Sequence, residues 1–426
     1  MIKFDKSNAL FKNVIKYIPL ASQTFSKSYK FLPKNHSPLF LDRGKGCYVF
    51  DYDKNKYIDL ISGLLSISIG YGIKEIDHAV IKQIRKGVNF SLPNSIEYIL
   101  AKKIIQLIPC AEMVKFSKNG SDATTGAIRL ARAITKRDII LFCGYHGWHD
   151  WYIGKTTFNA GIPKKISSLS KNFKFNNIKS FDQVFNKYKK KVAAVIIEPM
   201  SFVEPDIKFL KKIKSECKKN KTILIFDETC TGFRFSLGGA QKFFGIIPDL
   251  ATFGKGVANG YPLSILTGKK KIMKHCDKIF FSSTFGGEAV SLVAANETIK
   301  FIKKNSVIKH LFRMGTYLKK EIDIIIKKFN LNFVELKGHP SWTCFFFKDY
   351  NNYNKNVIKT FFIQKAIENG ILTLGTNNIN FSHKLTDIKK IIIIYKKIFL
   401  ELKNKINANK KLINYKEIKP LFQVRK

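Results

Sequence analysis

Lys255 lies in an apolar, glycine-rich stretch, "LATFGKGVANGYP", which runs from Leu250 to Pro262. A lysine that follows an apolar strand and has a glycine on each side is partly desolvated and loses its proton more readily. A neutral amine in such a place can form a Schiff base with an aldehyde. The chain has 75 lysines and arginines, most of them on the surface, so this chemistry needs support from other residues.

Asp227 directly follows the apolar run "TILIF" and would end a buried strand. An ionised carboxylate in that position requires a partner, because its removal from water is costly. A ring nitrogen that has to stay protonated would suit it. At about 4 Å and an effective dielectric constant near 20, such a pair gains roughly 4 kcal/mol, or about three pKa units. The alternative is an aspartate that caps the next turn.

The stretch "SKNGSDATTGAIRLAR" predicts a turn that opens a helix, with Ser121 or Asp122 as the N-cap. The first N–H groups of a helix have no partner within the helix and carry partial positive charge, so they suit a phosphate. Gly120 and Ser121 are therefore candidates for phosphate binding. The alternative is a turn that only caps the helix.

The stretch "CGYHGWHD" places aromatic and imidazole rings at the end of another apolar run. Tyr145 could stack on a planar ring, and a packed aromatic loop without a ligand is the alternative. His146 and His149 have the spacing of an HxxH metal pair. No cysteine or carboxylate cluster with ligand spacing accompanies them, so the sequence predicts no metal site.

Apolar runs that end in polar residues indicate the fold that must position these side chains. "AAVII" is followed by Glu198, "TILIF" by Asp227, and "DLATFG" by Lys255. Continuous runs of this kind are typical of strands buried on both faces of a parallel sheet. Strands that alternate with helices predict an α/β, doubly wound core, in which ligands bind beyond the carboxyl ends of the strands. Glu198, Asp227, Lys255 and Tyr145 would then share one crevice.

The two ends of the chain differ from this core. "KGCYVFDYDKNKYIDL" is typical of a β-hairpin with "DKN" at its turn, and beyond residue 310 strands such as "TCFFF" mix with helices. We expect a large ligand-binding domain over residues 86–310. The N-terminal segment 1–85 and the C-terminal segment 311–426 are expected to build one smaller α+β domain.

The formal net charge of +44 raises the hypothesis of a basic nucleic-acid-binding or scaffold protein. The charge is spread along the chain instead of forming one stripe. It comes mainly from lysine, which recognises phosphates and bases less specifically than arginine does. A nucleic-acid partner is therefore not expected.

The sequence also bears on the compartment. It begins with "MIKFDKSNAL", in which charged residues interrupt the apolar run that a signal peptide needs. The run "IIIIY" at Ile391 is flanked by lysines, and its spacing favours an amphipathic surface helix over a membrane span. Seven cysteines without a CxxC pair favour free thiols. We expect a cytoplasmic protein that has no membrane partner.

A phosphate turn, a stacking aromatic, a carboxylate for a pyridinium nitrogen and an imine-forming lysine are the parts that pyridoxal phosphate requires. The stretch "FDETCTGFRFSLGGAQKFFGIIPDLATFGKGVANGYP" resembles the central signature of class-III pyridoxal-phosphate-dependent aminotransferases. Within that family, "GYHG" and "TGFR" are similar to stretches of the glutamate-1-semialdehyde aminomutases. The resemblance implies the PLP-dependent transferase fold (fold type I), with a mostly parallel, doubly wound central sheet.

The resemblance implies a role for each residue of the candidate site. Lys255 would form the Schiff base with pyridoxal phosphate and transfer protons, and Asp227 would hold the pyridine nitrogen. Thr284, in "SSTFGGE", would contact the phosphate bound by the other subunit of a homodimer with shared active sites. The other residues would surround the cofactor: Gly120 and Ser121 at its phosphate through backbone N–H groups, Tyr145 over one ring face, Thr229 under the ring, and His146 and Glu198 close to it.

Some positions depart from the family pattern. Thr229 stands where family members usually have valine. Lys27 stands where aminomutases carry an arginine for a substrate carboxylate, and Gly375 where they carry a glutamate. The residues expected to bind the cofactor therefore match the family pattern, whereas the residues expected to contact the substrate differ from it. We expect an aminotransferase that takes a small-molecule amino donor and a carbonyl acceptor, with the aminomutase as the alternative.

Overall fold

Strands and helices alternate along most of the chain, which a computed structural model describes for residues 2–420. Because they are buried, apolar and rich in β-branched residues, the runs singled out in the sequence form strands. The strands are β1 Leu41–Lys45, β2 Tyr48–Asp51, β3 Lys56–Asp59, β4 Met113–Ser117, β5 Ile139–Cys143, β6 Ser170–Asn172, β7 Val192–Ile197, β8 Ile223–Asp227, β9 Leu250–Phe253, β10 Ser264–Gly268, β11 Val334–His339, β12 Trp342–Phe347, β13 Ile371–Leu372 and β14 Thr376–Asn378.

The helices mostly carry one apolar face, which they bury against these strands. They are α1 Asp5–Tyr17, α2 Lys74–Ile84, α3 Ser95–Leu107, α4 Gly120–Thr135, α5 Asp150–Ile153, α6 Lys164–Ser168, α7 Ile178–Tyr188, α8 Ile207–Lys219, α9 Gly239–Phe244, α10 Lys270–Met273, α11 Ala289–Lys304, α12 Val307–Lys328, α13 Lys355–Glu368 and α14 Leu385–Asn407.

The central sheet is mostly parallel, as the sequence predicts. Its strands lie in the order β4, β10, β9, β8, β7, β5, β6. All neighbours from β9 to β6 are parallel, and β10 runs antiparallel to both β4 and β9. Glu198 follows β7, Asp227 ends β8, and Lys255 comes shortly after β9. Since neighbouring parallel strands end at the same edge of a sheet, these side chains lie at one edge.

Helices cover both faces of this sheet, which confirms the doubly wound architecture. On one face Ile140 of β5 joins a buried apolar cluster with Ala127 of α4. On the other face the next residue, Leu141, joins a second cluster with Phe181 of α7 and Phe209 of α8. Successive residues of β5 thus pack into two separate hydrophobic clusters, one on each face of the sheet.

The terminal segments build two further sheets. One has the order β1, β2, β3, β13, and the other has the order β11, β12, β14. The antiparallel pair of β2 and β3 is the predicted hairpin. Helix α14 is the predicted amphipathic helix and buries Ile388, Ile391, Tyr395, Phe399 and Leu402. Within residues 2–420, no helix combines the length and the apolar character needed to cross a membrane.

The described chain divides into two compact units. The smaller unit contains residues 2–64, 69–73 and 309–420, and the larger contains residues 65–68 and 74–308. The expected N-terminal limit of the large domain, residue 86, therefore differs from the observed division. The difference arises because α2 packs on α11, with Ile76 and Val80 buried, and so belongs to the larger unit.

Candidate active site

The turn before α4 is closed by a reciprocal cap. The N-cap is Asn119, whose N–H donates to Asp122 Oδ2 at 2.7 Å, and the helix begins at Gly120. The prediction of Ser121 or Asp122 as the N-cap is wrong, because Asp122 reaches back from the third helical position and Ser121 Oγ accepts from the Trp148 N–H at 3.2 Å. Because β10 is antiparallel to both β4 and β9, β4 ends at the same edge of the sheet as β9, and the first N–H groups of α4 lie at that edge.

The Asp227 carboxylate is almost fully buried, with 4% of the residue exposed. Its Oδ1 accepts from Thr229 Oγ1 at 2.6 Å, from the Thr229 N–H at 3.2 Å and from Thr252 Oγ1 at 3.2 Å. Its Oδ2 lies 2.9 Å from His146 Nδ1. Burial raises the pKa of Asp227, but the bonds from His146 and Thr229 outweigh it and hold the pKa below its usual value. The structure therefore maintains an ionised carboxylate at the end of β8.

Thr229 contributes more than the methyl group that the sequence comparison suggests. Its hydroxyl donates to Asp227, which a valine could not do. Its Cγ2 lies towards two glycines: a Cβ on Gly120 would lie 3.1 Å from Cγ2, and one on Gly254 would lie 3.3 Å from it. The absence of side chains at both glycines leaves the space beside Thr229 open.

His146 lies behind Asp227 and is 2% exposed. Its Nε2 faces the Cys143 carbonyl oxygen at 3.2 Å, so each ring nitrogen lies within hydrogen-bonding distance of an oxygen. The ring also stacks on Trp151, with a centroid distance of 6.1 Å. His149 instead bonds Thr125 Oγ1 at 2.8 Å. In the part of the chain that the structure describes, no group of three potential metal ligands occurs.

Tyr145 and Glu198 lie just beyond the ends of β5 and β7 and are joined by a hydrogen bond. The Tyr145 N–H donates to Glu198 Oε2 at 2.8 Å, and the Tyr145 ring meets Tyr152 edge to face at a centroid distance of 5.6 Å. Gly144 has a φ of +115°, and a Cβ there would lie 2.6 Å from Glu198 Oε2, so only glycine fits. Burial, together with Asp227, raises the pKa of Glu198 to about 6.

Lys255 begins a short 3₁₀ turn, Lys255–Ala258, after β9 and has a left-handed φ of +46°. Ser68 holds this turn, since Ser68 Oγ donates to the Gly256 carbonyl at 3.0 Å. The Lys255 Nζ donates to Cys230 Sγ at 2.8 Å. Strained backbone of this kind is concentrated at functional sites.

The sequence-based expectation that Lys255 loses its proton more readily is wrong. Burial does lower the pKa of Lys255, but Cys230, Glu198 and Asp227 outweigh burial and raise it above its usual value. Cys230 could not be predicted as a site residue, because one cysteine among seven has no spacing signal. Its only clue is its place immediately after Thr229 in the loop that follows β8.

Thr284 lies on an exposed loop before α11, and its carbonyl accepts from Asn89 Nδ2 at 3.5 Å. The loop is tied to the turn before α4, because the Glu288 carboxylate lies 2.7 Å from Lys118 Nζ. Glu288 also caps α11 by accepting from the Val290 N–H at 2.6 Å. Among the hydrogen bonds within residues 2–420, none joins Thr284 to Lys255 or Asp227, in contrast to the clustering of the other candidates.

These residues fit pyridoxal phosphate. The N-terminus of α4 offers unpaired N–H groups to a phosphate, and an ionised, buried Asp227 offers a partner to a protonated ring nitrogen. Lys255 is a primary amine at the same strand edge, and the glycines beside Thr229 keep space for a ring. The chemistry of the donor set thus agrees with that group.

The comparison with protein families decides the assignment. The description "Aminotransferase class-III" belongs to the family model that matches residues 31–394. The chain belongs to the class-III aminotransferase family. It is an enzyme, and its cofactor is pyridoxal phosphate.

Two relatives of this member of the class-III family are named for different reactions. The chain is 38% identical to the 3-aminobutyryl-CoA aminotransferase of Cloacimonas acidaminovorans (strain Evry), over 77% of this chain and 80% of that protein. It is 34% identical to the glutamate-1-semialdehyde 2,1-aminomutase of Methanosphaera stadtmanae, over 92% of this chain and 97% of that protein.

Solved structures share the fold. The PLP internal aldimine form of the FumI protein of Sphingopyxis sp. MTA144 matches with a TM-score of 0.88 and 25% identity, over 95% of this chain and 98% of that one. A glutamate-1-semialdehyde-aminomutase from Pseudomonas aeruginosa PAO1 matches with a TM-score of 0.84 and 18% identity, over 94% and 95% of the two chains. The predicted fold type I class is confirmed.

Proposed function

We propose that this class-III enzyme is an aminotransferase that moves an amino group from a donor to a separate carbonyl acceptor. The observation that carries the proposal is Gly375, which has a φ of +90° and stands where, by the resemblance, an aminomutase would have a glutamate. Its N–H donates to Thr373 Oγ1 at 3.0 Å, and its carbonyl accepts from the Phe345 N–H at 2.8 Å. A glutamate would adopt this backbone only with strain.

Lys27 supports the same choice. It is exposed at the end of a short 3₁₀ turn, Phe25–Lys27, and stands at the arginine position of the aminomutases. A lysine offers a point charge where arginine would bind a carboxylate with two parallel hydrogen bonds. The 3-aminobutyryl-CoA aminotransferase named above is consistent with a two-substrate reaction. The aminomutase remains the second candidate, favoured by the relatives of that name.

Two residues would perform the proton chemistry. Bound pyridoxal phosphate supplies an aldehyde carbon that condenses with primary amines and a ring that withdraws electrons. Lys255 would bond to that carbon between reactions and, when released, would move a proton at its Nζ. Asp227 would hold the proton of the ring nitrogen. Its bonds from Thr229 and Thr252 keep the carboxylate aimed and ionised.

The remaining residues would bind and orient. The N–H groups of Gly120 and Ser121 would hold the phosphate, and Tyr145 would cover one face of the ring. Glu198, with a pKa of about 6, would line the site beside Tyr145. We assign His146 to the orientation of Asp227 instead of direct cofactor contact, because it is buried behind that carboxylate.

We also propose a homodimer in which Thr284 completes the partner's site. Large apolar side chains are exposed near its loop: Phe280 is 84% exposed, Leu92 78%, Tyr98 67% and Phe285 56%. Groups of exposed large apolar side chains are typical of protein interfaces. A second copy of the chain is the partner that the resemblance implies, because "SSTFGGE" resembles the family segment that reaches across a dimer interface.

The two candidate reactions differ in whether a product leaves between half-reactions. The PLP-loaded enzyme is mixed with single amino donors, and released carbonyl product is measured by mass spectrometry. We expect one equivalent per site from the donor alone and continued turnover after a carbonyl acceptor is added. Rapid isomerisation of glutamate 1-semialdehyde to 5-aminolevulinate without a second substrate would contradict the proposal and favour the aminomutase.

A further inference from the structure

The thiol of Cys230 lies beside the amine of Lys255. The distance between Sγ and Nζ is 2.8 Å, and the two residues are on different loops, one after β8 and the other after β9. Cys230 is partly exposed as a residue.

Charged and titratable groups surround this pair. Glu198, Asp227 and Tyr145 act on Cys230 and Lys255 electrostatically, and Arg234 interacts with Cys230. Burial raises the pKa of Cys230, although Lys255 opposes the shift.

A thiol is suited to both states of the amine. Its sulfur accepts a hydrogen bond from an ammonium, and its S–H donates to a neutral amine. The contact with Lys255 can thus persist when Nζ gains or loses a proton. A free lysine side chain otherwise loses rotamer entropy when it is fixed.

We propose that Cys230 is a positioning residue that holds the Nζ of Lys255 in place whenever that amine is not bonded to the cofactor. The proposal rests on the function assigned to Lys255 above. The thiol keeps the amine at the strand edge next to Asp227 and Glu198. Loss of the thiol then slows the steps in which the free amine moves a proton, with little effect on substrate binding.

The test uses the cofactor-free enzyme, so that its main readout does not depend on turnover. The rate at which acetic anhydride acetylates Lys255 is followed by peptide mass spectrometry across pH 6 to 11 in wild type, Cys230→Ala and Cys230→Ser. Cys276→Ala, at another partly exposed cysteine, is the matched control. Because Cys230 is the largest of the contributions that raise the pKa of Lys255, Cys230→Ala is expected to lower the apparent pKa. Cys230→Ser should fall between the two, and Cys276→Ala should match wild type.

The loaded enzyme gives a second readout. We expect kcat to fall about tenfold in Cys230→Ala with KM nearly unchanged, as for the loss of one hydrogen bond to a charged group, and to recover partly in Cys230→Ser.

If the acetylation profiles of all variants coincide with wild type, Cys230 does not position the lysine. That result leaves the proposed function intact if the donor half-reaction still proceeds, whereas a half-reaction that survives Lys255→Ala refutes the function itself. Should Cys230→Ala not fold, the profile of Cys230→Ser decides, and coincidence with wild type in that variant also overturns the proposal.

Discussion

Glu228 offers a quantitative test of how the loop that carries the site is held. The residue is fully buried, and its carboxylate accepts from Thr231 Oγ1 at 3.0 Å, from the Gln241 N–H at 3.1 Å and from Gln241 Nε2 at 3.0 Å, as well as from the Ala240 N–H. These bonds join the loop after β8 to α9. Burial outweighs them and raises the pKa of Glu228 from 4.5 to about 7.

The raised pKa of Glu228 determines whether the free energy of unfolding rises or falls with pH. The folded state binds the Glu228 proton more tightly than the unfolded state does, so this carboxyl stabilises the fold most below pH 4.5. That contribution is lost as pH rises through about 7. At about 1.4 kcal/mol per pKa unit, the total change is about 3 kcal/mol.

Urea unfolding of wild type and Glu228→Gln at pH values between 4.5 and 8 measures this change. We expect the free energy of unfolding of wild type, relative to the variant, to fall by about 3 kcal/mol across that range. Glu204→Gln removes the same charge from an exposed carboxylate and controls for net charge. A difference between wild type and Glu228→Gln that does not vary with pH would refute the reasoning.

Four further substitutions test the site. Lys255→Ala should lose the covalent cofactor link and nearly all turnover, as judged by visible absorbance and product formation; normal turnover would exclude its role as the imine lysine. Asp227→Ala should keep the lysine but weaken cofactor binding and slow proton removal, and wild-type rates would show that the ring-nitrogen role is wrong. Thr229→Val should weaken cofactor binding by about tenfold or less, because Asp227 keeps its other donors, and an unchanged dissociation constant would rule out a contribution from the hydroxyl. Thr284→Ala should lower activity, and mixing it with Lys255→Ala subunits should restore part of it in heterodimers; full activity of Thr284→Ala alone would reject the contact across the interface.

The strand edge could be predicted from the sequence because each apolar run is long, buried on both faces and followed by a polar residue. The runs before Glu198, Asp227 and Lys255 therefore indicated both the parallel sheet and the residues at its edge. The family resemblance then supplied the roles. Strand order and the antiparallel direction of β10 could not be predicted, because they depend on pairing between distant strands, which the apolar runs do not indicate.

Details of loops were less predictable. The N-cap is Asn119 because Asp122 reaches back to it, a choice that depends on the local backbone. His146 lies behind Asp227, and Cys230 meets Lys255, only because separate loops converge in space. For the same reason the pKa of Lys255 moves in the direction opposite to the prediction. The apolar stretch around Lys255 predicts only its burial, which lowers the pKa. Residues that are distant in sequence raise the pKa and outweigh burial.

The central claim is that Lys255 is the residue that binds pyridoxal phosphate covalently in a class-III aminotransferase. Borohydride reduction of the cofactor-loaded enzyme, followed by proteolysis and mass spectrometry, tests it most directly. We predict that the visible absorbance is bleached and that the reduced cofactor is found on the peptide containing Lys255. An adduct on another lysine, or no adduct at all, would contradict the account.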